Sequence, residues 1–125
     1  MTATNRYGWY LDDGSVKDPL SVEMLTNGNF ESNPTLTGWN TGSNGSSGTC
    51  VPTTANISST YSHSSSLSYY VGCSSGSGAP SSYGFAWISQ SFSALSGAIY
   101  TISFWVYLDK IRGGADDPVL DVTIN

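Results

Sequence analysis

The chain has 125 residues, of which 38% are hydrophobic, 13% aromatic and only 10% charged, a composition that fits one domain with a modest core. Nine acidic and four basic residues give a formal net charge of -5. So few Lys and Arg residues exclude binding to nucleic acid, because such binding depends on neutralising phosphates. No run of about 18 apolar residues occurs, so no membrane span is expected.

The hydroxyl, cysteine and sequon content indicates a secreted, extracellular protein. The chain holds 23 Ser and 12 Thr residues, which make its surface hydroxyl-rich rather than charged. The two cysteines, Cys50 and Cys73, are expected to form one disulfide. Open sequons at Asn44 and Asn56 predict N-linked glycans at both positions. The first six residues contain no apolar leader, so we interpret the chain as a mature segment or a fragment.

Alternation of apolar and polar residues recurs along the chain, whereas helical periodicity is absent. In chain order, it predicts strands over residues 67–73, 88–92, 99–108 and 120–124. In the third of these, Trp105 and Tyr107 lie on the face opposite the apolar residues. Stretches rich in Gly, Ser, Asn and Pro separate the strands, which predicts an all-β antiparallel sandwich.

The hydroxyl-rich stretch 58–66 has the composition of a linker. It lies between Cys50 and Cys73, so their disulfide would hold it against the body of the domain. Closing a loop of this size contributes about 3 kcal/mol in the chain-entropy model.

Catalysis is not indicated by any motif. Residues 72–76 (GCSSG) match the G-x-S-x-G pattern, but no helix is predicted to follow, and a nucleophile elbow needs one. The single histidine, His63, lies among serines. Only two glutamates occur, Glu23 and Glu31, and the aspartates near 116–117 are more simply a polar turn. The chain is therefore predicted not to be an enzyme.

Outward-facing aromatic residues are the candidate ligand-binding groups. Trp105 and Tyr107, joined by Trp87 or Tyr83, would form a platform on which the apolar face of a pyranose ring stacks. The alternative is that these rings pack under loops or against a neighbouring protomer, since Trp and Tyr are favoured at protein interfaces. Both interpretations stay open at this stage.

Three stretches carry a family resemblance. Residues 25–31 (LTNGNFE) are followed by Gly-Trp at 38–39, residues 88–92 (ISQSF) by 97–105 (GAIYTISFW), and residues 9–16 read WYLDDGSV. These resemble the opening motif, the paired middle strands and the closing strand of the galactose-binding-like jelly roll of extracellular carbohydrate-binding modules. The resemblance implies a jelly-roll β-sandwich.

The order of these motifs departs from the family, because the closing strand precedes the opening motif. We interpret the sequence as cut across a tandem repeat. The predicted parts are residues 1–18, a strand resembling the end of a preceding module; 19–24, a linker; and 25–125, the module itself, incomplete at its C-terminal end.

The displaced strand predicts an assembly function. It is expected to complete a sheet by main-chain pairing, in a neighbouring copy rather than its own, through Tyr7, Trp9, Tyr10, Leu11 and Val16. The leading hypothesis is a non-catalytic extracellular structural module that joins identical copies head to tail into a fibre or repeat array by β-strand addition. The alternative is a carbohydrate-binding module that binds glycans on its aromatic face.

The resemblance also implies one structural calcium ion. In the family, the Glu of the opening motif and an Asp of the closing strand often lie together at such a site, which is built from oxygen ligands. Carried over, the pair is Glu31 and Asp12, with Asn27 and Asp13 as additional ligands. This site requires the N-terminal strand to dock as proposed.

Overall fold

The computed structural model describes residues 5–44, 54–75, 85–111 and 120–124. These residues form six strands and no helix, so none of them builds a helix long and apolar enough to cross a membrane. The strands are β1 (Asn5–Lys17), β2 (Asn40–Asn44), β3 (Thr54–Ser58), β4 (Ser68–Ser75), β5 (Phe85–Ser89) and β6 (Thr101–Ile111).

The strands form two sheets in which every pairing is antiparallel. One sheet has four strands in the order β3-β4-β1-β6, and the other consists of β2 and β5. The prediction of an all-β antiparallel fold is confirmed. Only β3 and β4 are consecutive in the chain; the other pairings join strands that are distant in sequence.

The N-terminal strand β1 lies inside the larger sheet of its own chain. It pairs on one side with β4 and on the other with β6, so that Tyr10 is opposite both Tyr70 and Tyr107. Main-chain pairing of this segment was predicted, but with preference for a neighbouring copy. Here its partners belong to the same chain, and exchange between copies stays a prediction. Deleting β1 would remove an inner strand and leave both β4 and β6 without their shared neighbour.

Alternation along the strands gives the four-stranded sheet two different faces. Opposed residues of neighbouring strands project to the same side, so Tyr10, Tyr70 and Tyr107 share what we call the outer face. The inner face carries Leu11 and Tyr69, which are paired with each other. The outer face is aromatic and polar, and the inner face is apolar.

The core lies on the inner face, where the 27–39 loop packs against β4. The ring of Phe30 is stacked on Tyr69 at 5.9 Å between centroids and contacts Trp39 at 5.6 Å. Phe30 is completely buried and Tyr69 is 2% exposed. The opening motif of the sequence therefore supplies the centre of the core.

The segment 19–24, predicted as a linker, is a compact turn. Oδ1 of Asp18 accepts hydrogen bonds from the backbone N–H groups of Leu20 and Val22. Glu23 attaches the end of this turn to β1, because its carboxylate accepts a hydrogen bond from the backbone N–H of Val16 at 3.0 Å. These contacts join the turn firmly to the sheet.

The C-terminal part departs most from the sequence prediction. Residues 120–124 were predicted as a strand, but they belong to neither sheet, and Leu120, Val122 and Ile124 are exposed. Strand β6 begins and ends a few residues later than the predicted 99–108. Its inner face is only partly covered, with Phe104 38% exposed. The alternation was correctly assigned, but burial of this strand is incomplete.

Candidate functional site

A cleft of about 340 Å³ opens on the outer face of the larger sheet. We call it the aromatic cleft. Strands β1, β4 and β6 provide its floor, and the loop of residues 59–67 between β3 and β4 provides the rest of its wall. Its lining residues are Tyr10, Asp12, Tyr61, Ser62, His63, Ser68, Trp105, Val106 and Tyr107.

Two aromatic pairs between the loop and β6 shape the cleft. Tyr61 lies against Tyr107 with ring centroids 4.5 Å apart. His63 is stacked on Trp105 at 3.7 Å with an interplanar angle of 10°. Tyr10 lies buried beneath them, with its ring edge-on to Tyr61 at 5.0 Å. The outer part stays open, since Trp105 is 56% and Tyr107 48% exposed.

The carboxylate of Asp12 holds the loop over the sheet. Its Oδ2 accepts the backbone N–H groups of His63 at 2.8 Å and Ser64 at 3.0 Å, and its Oδ1 accepts that of Asp13 at 2.8 Å. Asp12 is only 2% exposed. A buried carboxylate must have such donors, because an unpaired buried charge is strongly destabilising.

Asp13 holds the side chains of the same loop. His63 Nδ1 donates to its Oδ2 at 2.6 Å, and Ser64 Oγ donates to its Oδ1. Partial burial alone would raise the pKa of Asp13, but the hydrogen bonds from Ser64 and His63 and the charge of His63 outweigh it, so this pKa is lower than its ordinary value. Asp13 therefore fixes the His63 ring that stacks on Trp105.

Glu31 completes the attachment of the loop. Its Oε1 accepts the N–H groups of Ser66 at 2.8 Å and Leu67 at 2.6 Å. Docking of β1 in its own sheet thus brings Asp12 and Glu31 to one loop, where they accept backbone N–H groups; their predicted joint role as calcium ligands is not tested by these contacts. We refer to Asp12, Asp13 and Glu31 as the carboxylate clamp.

The clamp does not fit the predicted calcium site. Calcium needs six to eight oxygens that face a common point, whereas both oxygens of Asp12 and of Asp13, and Oε1 of Glu31, face N–H or hydroxyl donors. The amide of Asn27 is turned into its own loop, where it donates to Thr35 and accepts from Ser32. Within the described ranges, no group of three or more His, Cys, Asp or Glu residues is placed to hold a metal ion. The calcium site stays a prediction that this geometry does not support.

Of the four predicted ligand-binding aromatics, Trp105 and Tyr107 lie together in the aromatic cleft. Trp87 lies on β5 in the other sheet, where its exposed ring covers Gly42 of β2 so closely that a Cβ there would come within 2.3 Å of the indole. Tyr83 lies outside the described residues. The predicted platform is therefore divided between two sheets.

The remaining predicted sites are only partly described. Cys50 lies outside the described residues, and of Cys73 and Asn44 only the backbone is described, so the disulfide and the first glycan stay predictions. Asn56 lies exposed on β3. Residues 72–75 of the G-x-S-x-G match belong to β4, and the residues that follow them lie outside the described part of the chain, so the expectation of no nucleophile elbow stays a prediction.

Sequence reasoning missed Tyr10, Tyr61 and His63 as components of the cleft. Tyr10 was assigned to the assembly strand, and Tyr61 and His63 fell in a serine-rich stretch with the composition of a linker. The available signal was the presence of two ring side chains in that stretch, together with two adjacent aspartates in a predicted strand. Carboxylates in a strand need donors, and a loop rich in N–H and hydroxyl groups provides them.

Comparison with protein-family models, curated proteins and solved structures finds no match to this chain.

Proposed function

We propose that this chain is a secreted, non-catalytic jelly-roll module that binds carbohydrate in the aromatic cleft. The observation that carries the proposal is the pairing of exposed Trp105 and Tyr107 with His63 and Tyr61 around one cleft. Small-molecule sites are typically concave and mostly apolar with a few polar groups, at volumes of about 300–1,000 Å³. The cleft has this composition.

The chemistry of the cleft suits a neutral sugar. Aromatic rings contact the C–H face of a pyranose, and the phenol groups of Tyr61 and Tyr107 offer hydrogen bonds to its hydroxyl groups. Electrostatic interaction with Tyr61 raises the pKa of Tyr107, followed in effect by burial, the charge of Asp109 and a side-chain hydrogen bond with Tyr61.

Binding is favoured over hydrolysis by the state of the carboxylate in the cleft. A glycosidase needs two carboxyl groups that flank the scissile bond. Asp12 lines the cleft, but both of its oxygens accept backbone N–H groups. This supports a role for Asp12 in positioning the loop rather than in acid-base chemistry.

A glycan array probed with the full chain, followed by calorimetric titration of the best ligand, tests the proposal. Trp105→Ala and Tyr107→Ala are each expected to weaken binding at least about tenfold, which corresponds to about 1.4 kcal/mol. Trp87→Ala is the matched control, since it removes an exposed tryptophan of the other sheet. Absence of binding to any glycan, or an equal loss in the control, would contradict the proposal.

Assembly of identical copies is the second candidate function, and a specific observation favours it. Strand β6 is an edge strand of the larger sheet. On its inner face, the side chains of Ile102, Phe104 and Leu108 are partly exposed. Residues 120–124 add exposed apolar side chains in an alternating pattern. An edge strand with exposed apolar residues favours pairing with another chain. We therefore assign the assembly surface to β6, since β1 is already paired on both sides.

Sedimentation of the full chain over a range of concentrations tests this second candidate. The wild type is expected to form larger species as its concentration rises, and Phe104→Lys is expected to shift it toward the monomer. Ser103→Lys, on the opposite face of the same strand, is the control that should still associate. A wild type that stays monomeric at the highest concentration would refute assembly through β6.

A further inference from the structure

The sequon at Asn56 lies on the edge strand β3, and the Asn56 side chain points away from the core. On β3, Ile57 is opposite the buried Tyr69, and Asn56 is opposite Tyr70. Since opposed residues project to the same side, Ile57 belongs to the inner face and Asn56 to the outer face. The Asn56 side chain is accordingly exposed.

Asn56 stands at the end of an aromatic row that crosses the whole sheet. The register places Tyr70, Tyr10 and Tyr107 beside it on successive strands. Neighbouring strands lie about 4.8 Å apart, so Tyr70 is the ring next to Asn56. The rings of Tyr70 and Tyr10 are 4.6 Å apart.

Two glycines let the Tyr70 ring lie low across the sheet. A Cβ at Gly72 would come within 1.8 Å of the Tyr70 hydroxyl oxygen, and one at Gly8 within 2.6 Å of its Cε2. The ring therefore occupies the space above these two residues. One side of the ring covers the backbone, and the ring stays partly exposed to solvent.

The amide of Asn56 is oriented for substitution at its nitrogen. Its Oδ1 accepts the backbone N–H of Ile57 at 2.8 Å, which limits rotation of the side chain. Its Nδ2 donates no hydrogen bond to any described residue. A substituent on Nδ2 therefore meets no competing hydrogen bond among the described residues, and it begins on the same face as Tyr70, one strand away.

We propose that Asn56 carries an N-linked glycan whose first N-acetylglucosamine packs on the ring of Tyr70. In the modification, Asn56 Nδ2 bonds to the anomeric carbon of an oligosaccharyl pyrophosphate lipid, the bond from that carbon to the pyrophosphate oxygen breaks, and the amide loses one proton. The C–H face and acetyl methyl of the sugar then cover the exposed side of Tyr70. This inference does not depend on ligand binding in the aromatic cleft.

The test uses the full chain secreted from eukaryotic cells that make only high-mannose glycans, with Asn44→Gln present throughout. Mass spectrometry measures occupancy at Asn56, and endoglycosidase H then trims the glycan to one N-acetylglucosamine. This sugar is expected to raise Tm by about 4 °C relative to Asn56→Gln, as a contact worth about 1 kcal/mol would do. The gain should vanish with Tyr70→Ala and persist with Tyr70→Phe and with Tyr107→Ala.

A second measurement applies even if Tyr70→Ala does not fold. In the NMR spectrum of the trimmed protein, the acetyl methyl signal should move upfield because it lies over the ring. An unmodified Asn56, an equal gain in Tm without the ring, or a methyl signal at its free-sugar position would overturn the proposal.

Discussion

Replacement of Asp12 by Ala should lower the free energy of unfolding by about 3 kcal/mol, because it leaves three backbone N–H groups without their acceptor. The loop that carries Tyr61 and His63 should then detach from the sheet. Urea unfolding measures the loss of stability. Near-ultraviolet circular dichroism should show that the aromatic pairs of the cleft have lost their fixed geometry.

Asp12→Asn is the matched control for this prediction. The amide keeps an acceptor oxygen of the same size but loses the charge, and its NH₂ group faces N–H donors, so an intermediate loss is expected. Glu31→Ala should cost less than Asp12→Ala, because Glu31 accepts two N–H groups and is less buried. An Asp12→Ala protein as stable as the wild type would show that the clamp does not hold the loop.

Replacement of Phe30 by Ala should lower the free energy of unfolding by about 4 kcal/mol, the largest effect expected in this chain. Its ring is completely buried between Tyr69 and Trp39. The backbone of Phe30 has a φ of 60°, a left-handed conformation that Ala would not relieve. The substitution therefore removes the packing and leaves the backbone cost in place.

Phe30→Leu is the control, since Leu refills most of the space and should cost about 1–2 kcal/mol. Urea unfolding of both variants gives the difference. If Phe30→Ala and Phe30→Leu lose the same small amount, the 27–39 loop is not part of the cooperative core. Loss limited to sugar binding would likewise contradict the prediction.

Local patterning predicted β4 and β6 because the signal is contained within each strand, but it missed β2 and β3 and placed β5 three residues too late. The alternation around Phe104 and Val106 correctly separated Trp105 and Tyr107 from the apolar side of β6. A strand was also expected at 9–16, and residues 5–17 do form β1, which pairs through its main chain within its own sheet. In both strands, the alternation of residues that are adjacent in sequence indicates which face of the strand is buried.

The cleft was predictable only in part because its second wall depends on contacts between distant residues. Asp12 and His63 are separated by 51 positions, and nothing near either residue identifies the other. The carboxylates were assigned to calcium for the same reason: a charged oxygen indicates that it needs a partner, but not which one. The strand prediction for residues 120–124 was wrong, because an alternating segment forms a strand only where another strand lies beside it to pair with.

The position of β1 between β4 and β6 has a consequence for how the protein is made. A ribosome releases residues 5–17 before the other described strands, yet their second partner, β6, ends at Ile111. At ordinary elongation rates, this strand waits about 5–20 s before the sheet can close around it. The hairpin of β3 and β4 is complete earlier and is local in sequence, so it is the natural starting point for folding. Folding should therefore begin at the hairpin of β3 and β4, and β1 should join the sheet late although it is synthesised before these strands.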